Sequence, residues 1–263
     1  MVPFLFVPKS PDKKMKIYWY DQLDSTNRKA KELAEKGCES GVAVCAKAQT
    51  AGRGRLGKQW HSTAGQGLYC SCIVRPTVGA EEYPKLTMVA GVAVARLLSL
   101  MVDKKVQLKW PNDVFFDGRK CAGILAESSD LTAPPEKRYA VIGIGINVNQ
   151  KTGSFPAELQ QKVTSLHELA GVTFDLRLLG EKVVQALAQE IDIFEQQGFG
   201  PVLDQWRRMD YLLGKNLTCV DVYGELVSGL SLGPDETGNL YLRGEDGRLH
   251  KVLSGDVELA RKA

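Results

Sequence analysis

Val106-Gln-Leu-Lys-Trp-Pro-Asn-Asp-Val-Phe-Phe-Asp-Gly-Arg-Lys-Cys-Ala-Gly-Ile-Leu125 reads as three short strands folded back on one another. Val106–Trp110, Val114–Phe116 and Lys120–Glu127 are rich in β-branched and aromatic residues, and Asp117-Gly118 is a two-residue hairpin turn joining the last two. Working outward, Tyr139–Val148 is an apolar run interrupted by glycines, the pattern of a buried strand that something must approach closely. Lys16–Tyr20, Val42–Ala46 and Leu68–Val74 add further strands.

Helices fall between them. Asp24-Ser-Thr-Asn27 offers caps ahead of Ala30, Leu33 and Ala34, and Gly37 closes that helix. Glu82–Met101 has Pro84 near its start and apolar residues at helical spacing. Two more helices are predicted near Asp175–Gln197 and Gly200–Met209. From Leu217 the chain changes to short strands with turns at Tyr223-Gly224, Pro234-Asp235 and Asp246-Gly247. The fold class is α+β: a mixed β-sheet with packed helices, followed by a small C-terminal β-barrel. The expected divisions are an N-terminal extension over 1–15, a main domain over 16–212 and the barrel over 213–263.

Composition narrows the function classes. A hydrophobic fraction of 44% and a charged fraction of 25% are those of an ordinary globular chain. A net charge of +3 is too mild to call for nucleic acid. Met88–Val102 is interrupted by Arg96 and too short to span a bilayer, and the apolar Met1–Val7 lacks a preceding basic region, so neither a membrane nor a signal peptide is expected. The six cysteines form no Cys-x-x-Cys pair, which favours a reducing, cytoplasmic setting over a disulfide scaffold or a zinc site.

Three stretches carry the chemistry. Gln49-Thr-Ala-Gly-Arg-Gly-Arg-Leu-Gly-Lys-Gln-Trp60 is a glycine-rich cationic loop suited to phosphate or carboxylate. It matches the start of a P-loop, but Gln59 stands where Ser or Thr would hold Mg²⁺ and no helix follows. Read alone it is a solvated basic loop. Lys120 lies in an otherwise apolar strand, where an ammonium needs an anionic partner unless it reaches solvent at an edge. Asn112 and Asp113 alone fit an Asx turn after Pro111. Gly143-Ile-Gly-Ile-Asn147 has Val148 where a dinucleotide fingerprint needs its third glycine, so it is either a slot for a flat ligand or a close helix contact.

Together, Asp24–Asn27, Gln49–Trp60, Lys109–Asp113 with Lys120–Leu125, and Gly143–Val148 resemble the catalytic domain of the biotin–protein ligase family, in its order and spacing, over roughly Tyr18 to Met209. The resemblance implies a class II synthetase-like catalytic domain ending in a small β-barrel. It also implies an ATP-dependent ligase that makes biotinyl-AMP and transfers biotin to a lysine of a biotin carboxyl carrier protein domain of a biotin-dependent carboxylase. Ser25, Thr26, Asn27, Gln49, Gly52, Arg53, Arg55, Lys120, Gly123, Gly143 and Gly145 would then bind biotin. Arg53, Lys58, Trp60, Lys109, Asn112, Asp113, Lys120 and Asn147 would bind ATP, and Lys120, Arg53 and Arg55 would be catalytic. Mg²⁺ would accompany the pyrophosphate, and a homodimer is compatible with the family.

The chain departs from the family pattern at Leu56 and Lys58, where arginines are usual, which bears on retention of the intermediate. With only about fifteen residues before the first strand, no winged helix and no repressor role are expected. The rival readings are a lipoate–protein ligase, which needs a longer apolar slot, a nucleic-acid-binding module using the Arg53–Lys58 loop, and a ligand-binding regulator without turnover.

Overall fold

The computed structural model describes residues 15–220, 223, 225–252 and 257–259. Apart from Met15, the expected N-terminal extension lies outside the described residues, as does Gly224 of the expected Tyr223-Gly224 turn. Seven strands build the main sheet: β1 (Lys16–Leu23), β2 (Val42–Gln49), β3 (Gly67–Val74), β4 (Val106–Lys109), β5 (Asp113–Phe116), β6 (Arg119–Ser128) and β7 (Ala140–Asn147). Their order is β1-β2-β3-β7-β6-β5-β4, with β1 and β2 parallel and every other pair antiparallel. The mixed sheet is thus as expected.

Side chains alternate across the sheet, and the two faces have opposite characters. On one face, Cys45, Cys70, Cys72, Ile124, Ile142, Ile144 and Ile146 are buried in the main core with α2 (Leu86–Ser99), α4 (Leu176–Gln197) and α5 (Gly200–Met209). Cys70 and Cys72 are the small buried thiols their spacing suggests, and hydrogen bonding to a neighbouring thiol (Cys45 for Cys70, Cys70 for Cys72), together with burial, raises both well above the ordinary range. The other face is covered only in part. There α1 (Thr26–Glu35) packs Ala30 and Ala34 on Val44, Ile73 and Val141. The remainder of that face is left for the cavity described below.

Helix boundaries follow local chemistry. Asp175 Oδ1 accepts from the amides of Arg177 (2.7 Å) and Leu178 (3.0 Å), capping α4, and Gly198 ends it at positive φ. The helix expected over Glu82–Met101 is divided: Ala80–Lys85, containing Pro84, is a 3₁₀ segment, and only Leu86–Ser99 is α. The five-residue α3 (Leu166–Ala170), capped by Ser165, is too short to show a period and is not anticipated.

The C-terminal strands correct one expectation. β8 (Asn216–Val220), β9 (Leu226–Pro234), β10 (Leu240–Arg243) and β11 (Leu249–Val252) form an antiparallel sheet, extended beside β8 by the two-residue β12 (Glu258–Leu259). Among the described residues the edge strands β11 and β12 do not pair, so the sheet is open and not a barrel.

The two sheets meet beside β4. Trp110 Nε1 donates to the Gly238 carbonyl at 3.0 Å, and the Tyr211 amide donates to Leu108 O at 2.8 Å. Between them sits Asp210, whose Oδ1 accepts from Leu212 N at 2.7 Å and whose buried Oδ2 has no hydrogen-bond partner. Burial pushes this carboxyl from 3.8 up to about 6. The folded chain therefore holds the proton to higher pH than the unfolded chain does. The stability this residue contributes falls as pH rises through that window. Asp210→Asn is expected to flatten the fall, read as melting temperature at pH 4.5 and pH 7; an unchanged difference would remove Asp210 from the acid response.

Candidate functional site

Bare backbone creates the site. Gly123 on β6 is the register partner of Gly145 on β7, and Gly143 pairs with both Leu125 and Ser71 of β3. These residues face away from the helical core, so the sheet has a shallow floor there. Trp60 lies on it: a Cβ on Gly145 would come 2.5 Å from the indole Cε2, and one on Gly123 would come 2.9 Å from Cζ3. Asn27 lies just as closely on Gly143. Glycine is needed here for approach, not for turning: Gly123 and Gly145 make room for the indole, and Gly143 for Asn27 of α1, a close helix contact.

A cavity of about 270 Å³ opens over this floor. Of the residues singled out in the sequence, Ser25, Thr26, Asn27, Gln49, Arg53, Arg55, Lys58, Trp60, Asn112, Asp113, Lys120, Gly123, Gly143, Gly145 and Asn147 all line it. Gly52 sits behind the wall, where a Cβ would meet Trp60 O at 2.5 Å. Lys109 points elsewhere, its Nζ 5.7 Å from the centre of the Phe115 ring. His61 stands at the mouth and is exposed.

One end is a polar pocket. Gln49 Oε1 accepts from Thr26 N (2.8 Å) and Thr26 Oγ1 (3.0 Å), while Gln49 Nε2 donates to Ser62 Oγ at 3.0 Å. Ser71 Oγ is fully buried, 2.8 Å from Thr26 Oγ1 and 2.6 Å from Asn27 Oδ1. The α1 N-terminus also lies here: Ser25 is the extended cap residue, and its side chain makes no capping bond. Donors and acceptors held this way suit a small, neutral, hydrogen-bonding head group.

The other end is cationic. Lys120 Nζ pairs with Asp113 Oδ1 at 2.6 Å and lies 5.2 Å from the Trp60 ring centre. The strand lysine thus has the anion that burial demands. Its backbone is clamped on both sides, Lys120 N donating to Lys162 O and Thr164 N donating to Lys120 O, both at 2.9 Å. Asn147 Nδ2 braces the same strap through Thr164 O at 3.0 Å. Asn112 Nδ2 donates to Ile124 O at 2.8 Å, and its Oδ1 faces Arg55 Nη1 at 3.5 Å. Arg53, Arg55, Lys58 and Lys120 exceed the single lining carboxylate, Asp113, so the cavity attracts anions.

Several lining residues escape the sequence reading. Tyr69, the β3 partner of Gly145, lines the cavity, and Ser71, the partner of Gly143, is buried behind Thr26 and Asn27; pairing the strands would have revealed both. Phe155, Leu159 and Val163 come from the irregular segment after β7, where no periodicity marks them. Among the described residues no group of three or more His, Cys, Asp or Glu could hold a metal. Nor is any helix there long and apolar enough to cross a membrane.

A sequence profile described as the biotin/lipoate A/B protein ligase family matches residues 19–147. Over 244 residues the chain is 35% identical to the bifunctional ligase/repressor BirA of Bacillus subtilis, covering 92% of this chain and 74% of that protein. It is 33% identical over 242 residues to the biotin–[acetyl-CoA-carboxylase] ligase of Mycobacterium tuberculosis, covering 90% and 86%. Among solved structures, the biotin protein ligase from Aquifex aeolicus in complex with biotin and ATP superposes with a TM-score of 0.79 at 30% identity, over 94% of this chain and 99% of that one.

Gly145→Ala is expected to leave the β3–β7–β6 ladder intact but push the indole off the floor. Trp60 emission, isolated by difference from Trp60→Phe, should shift to the red as the ring meets water. An unshifted spectrum would show that the ring does not depend on the missing Cβ.

Proposed function

The chain belongs to the biotin–protein ligase family, and we propose that it activates biotin with ATP and transfers it to a lysine of a biotin carboxyl carrier protein domain. The observation that carries this reading is the cavity with two ends: a neutral hydrogen-bonding pocket at Thr26 and Gln49, backed by the buried Ser71, and a lysine-centred cationic end, joined by a glycine floor. A ureido ring suits the first end and a carboxylate suits the second. A dithiolane ring would make no hydrogen bonds to that polar pocket, which disfavours lipoate.

In the first half-reaction a carboxylate oxygen of biotin attacks the α-phosphorus of ATP. The bond to the bridging oxygen breaks, and pyrophosphate leaves. Two anions must approach, and negative charge builds on the phosphoryl group. Lys120 would sit between the two groups, exchanging part of its contact with Asp113 for the carboxylate and α-phosphate. Arg53 and Arg55 would offset the remaining charge, and Lys58 would face the phosphates. Trp60, Asn112, Asp113 and Asn147 would frame the nucleotide; Lys109, turned toward Phe115, would act only through longer-range charge. In the second half-reaction the carrier lysine amine attacks the acyl carbonyl and AMP leaves.

Mg²⁺ is not provided for by the chain alone: the described residues form no cluster of three metal ligands. A metal ion would enter with the ATP phosphates, and the roles given to the residues above do not run through it. The buried thiols Cys45, Cys70, Cys72 and Cys121 fit a reducing compartment such as the cytoplasm.

ATP–pyrophosphate exchange should appear with biotin and not with lipoate. Lys120→Ala should lower it by about 10²-fold or more while the melting temperature holds, the scale expected when an oriented charge at the reacting phosphoryl is lost. Exchange with lipoate alone would move the substrate to the sister class. An undiminished rate in Lys120→Ala would take that residue out of the reaction.

A further inference from the structure

Glu127 is used by none of the steps above, yet it touches two of the elements that build the site. It follows Gly123 and Leu125 at the strand period, so it lies on the cavity face of β6, just past the floor. Its Oε1 accepts from Arg53 Nη2 at 2.9 Å, and its Oε2 faces Arg53 Nη1 at 3.4 Å, a two-pronged pairing. The same Oε2 accepts from Asn27 Nδ2 at 2.8 Å, and that amide also reaches Leu125 O at 3.2 Å. One carboxylate therefore ties the glycine–arginine loop and the first turn of α1 to a sheet strand.

At its far end the loop rests Trp60 on the glycine floor, and Glu127 adds a tether at the Arg53 end. The loop's own hairpin bonds, Gly54 N to Lys58 O at 2.7 Å and Trp60 N to Gly52 O at 3.0 Å, shape it without attaching it to the sheet. Arg55 Nη1 faces Asn112 Oδ1 at 3.5 Å. We propose that Glu127 is a positioning residue: the latch that keeps the Arg53–Trp60 loop folded over the cavity and so retains the acyl-adenylate. This rests on the ligase reading for its consequence, but not for the latch itself. The Arg53 side chain is 52% exposed and that of Glu127 31%, so the pairing is open to screening by salt and can release without disturbing the fold.

Glu127→Gln keeps the shape and the Asn27 contact but removes the charge. The first test needs no substrate: limited trypsin digestion of the ligand-free chain, following cleavage after Arg53, Arg55 and Lys58. Cleavage in the loop should rise about two- to five-fold, the range for an exposed arginine–carboxylate pair, with other sites and the melting temperature unchanged. Added salt should accelerate loop cleavage in the parent and not in Glu127→Gln. Equal loop cleavage in the two proteins, or equal salt response, overturns the latch.

The second test follows labelled biotinyl-AMP in single turnover, with hydroxylamine trapping what escapes. Glu127→Gln should form the adenylate at a rate within about two-fold of the parent and release it about two- to five-fold faster. Slower formation with unchanged release overturns retention as its role. A parent that forms no adenylate would refute the ligase reading, while the digestion would still decide the latch.

Discussion

A β-sheet can hold a ligand against its surface only where side chains are missing, and everything in this site depends on that constraint. The strands β6 and β7 carry Ile124, Ile142, Ile144 and Ile146 toward the helices and Gly123, Gly143 and Gly145 toward the cavity. The large residues give the sheet its core and the glycines give it its floor, on the same strands and in the same two-residue alternation. A one-residue slip in register would put isoleucines into the cavity and glycines into the core, losing both at once. Fold and site are therefore specified by a single pattern.

The charges obey a related logic. In the proposed reaction cations would meet a carboxylate and a triphosphate, and they cannot wait unpaired in a partly dry cavity. Lys120 rests on Asp113, and Arg53 rests on Glu127. These pairs are not equivalent. Asp113 belongs to the cavity wall, so ligand anions compete with it directly; Glu127 stands beyond the floor and governs where the loop lies. Holding each cation on a carboxylate keeps it in place, and exchanging one anion for another costs far less than desolvating a bare ammonium or guanidinium.

The strand pattern, the hairpin at Asp117-Gly118 and the helices near Asp175–Gln197 and Gly200–Met209 were legible because each rests on local chemistry or on the periodicity of apolar residues. The closure of the C-terminal sheet was not legible, since barrel and open sheet share the same short strands and turns and differ only in whether distant edges pair. Phe155, Leu159 and Val163 were hidden in an aperiodic segment that only the fold brings over Lys120. Glu127 and Ser71 lie between these cases. Strand alternation from Gly123 and register from Gly143 point to them, but only after the strands have been paired, and a motif read along the chain does not pair strands.

The same geometry weighs the two departures in the loop differently. Leu56 is 64% exposed, adopts φ 52° and ψ 39°, and does not line the cavity. Left-handed backbone at a branched residue carries strain, and an arginine there would carry it too. Its charge would also project from the turn toward solvent, where screening weakens it. Lys58 does line the cavity, so replacing a planar fork by a compact ammonium there acts where the anions would lie. Counting charges along the loop treats the two positions alike. The fold separates them, and of the two only Lys58 lines the cavity where the proposed reaction would place the phosphates.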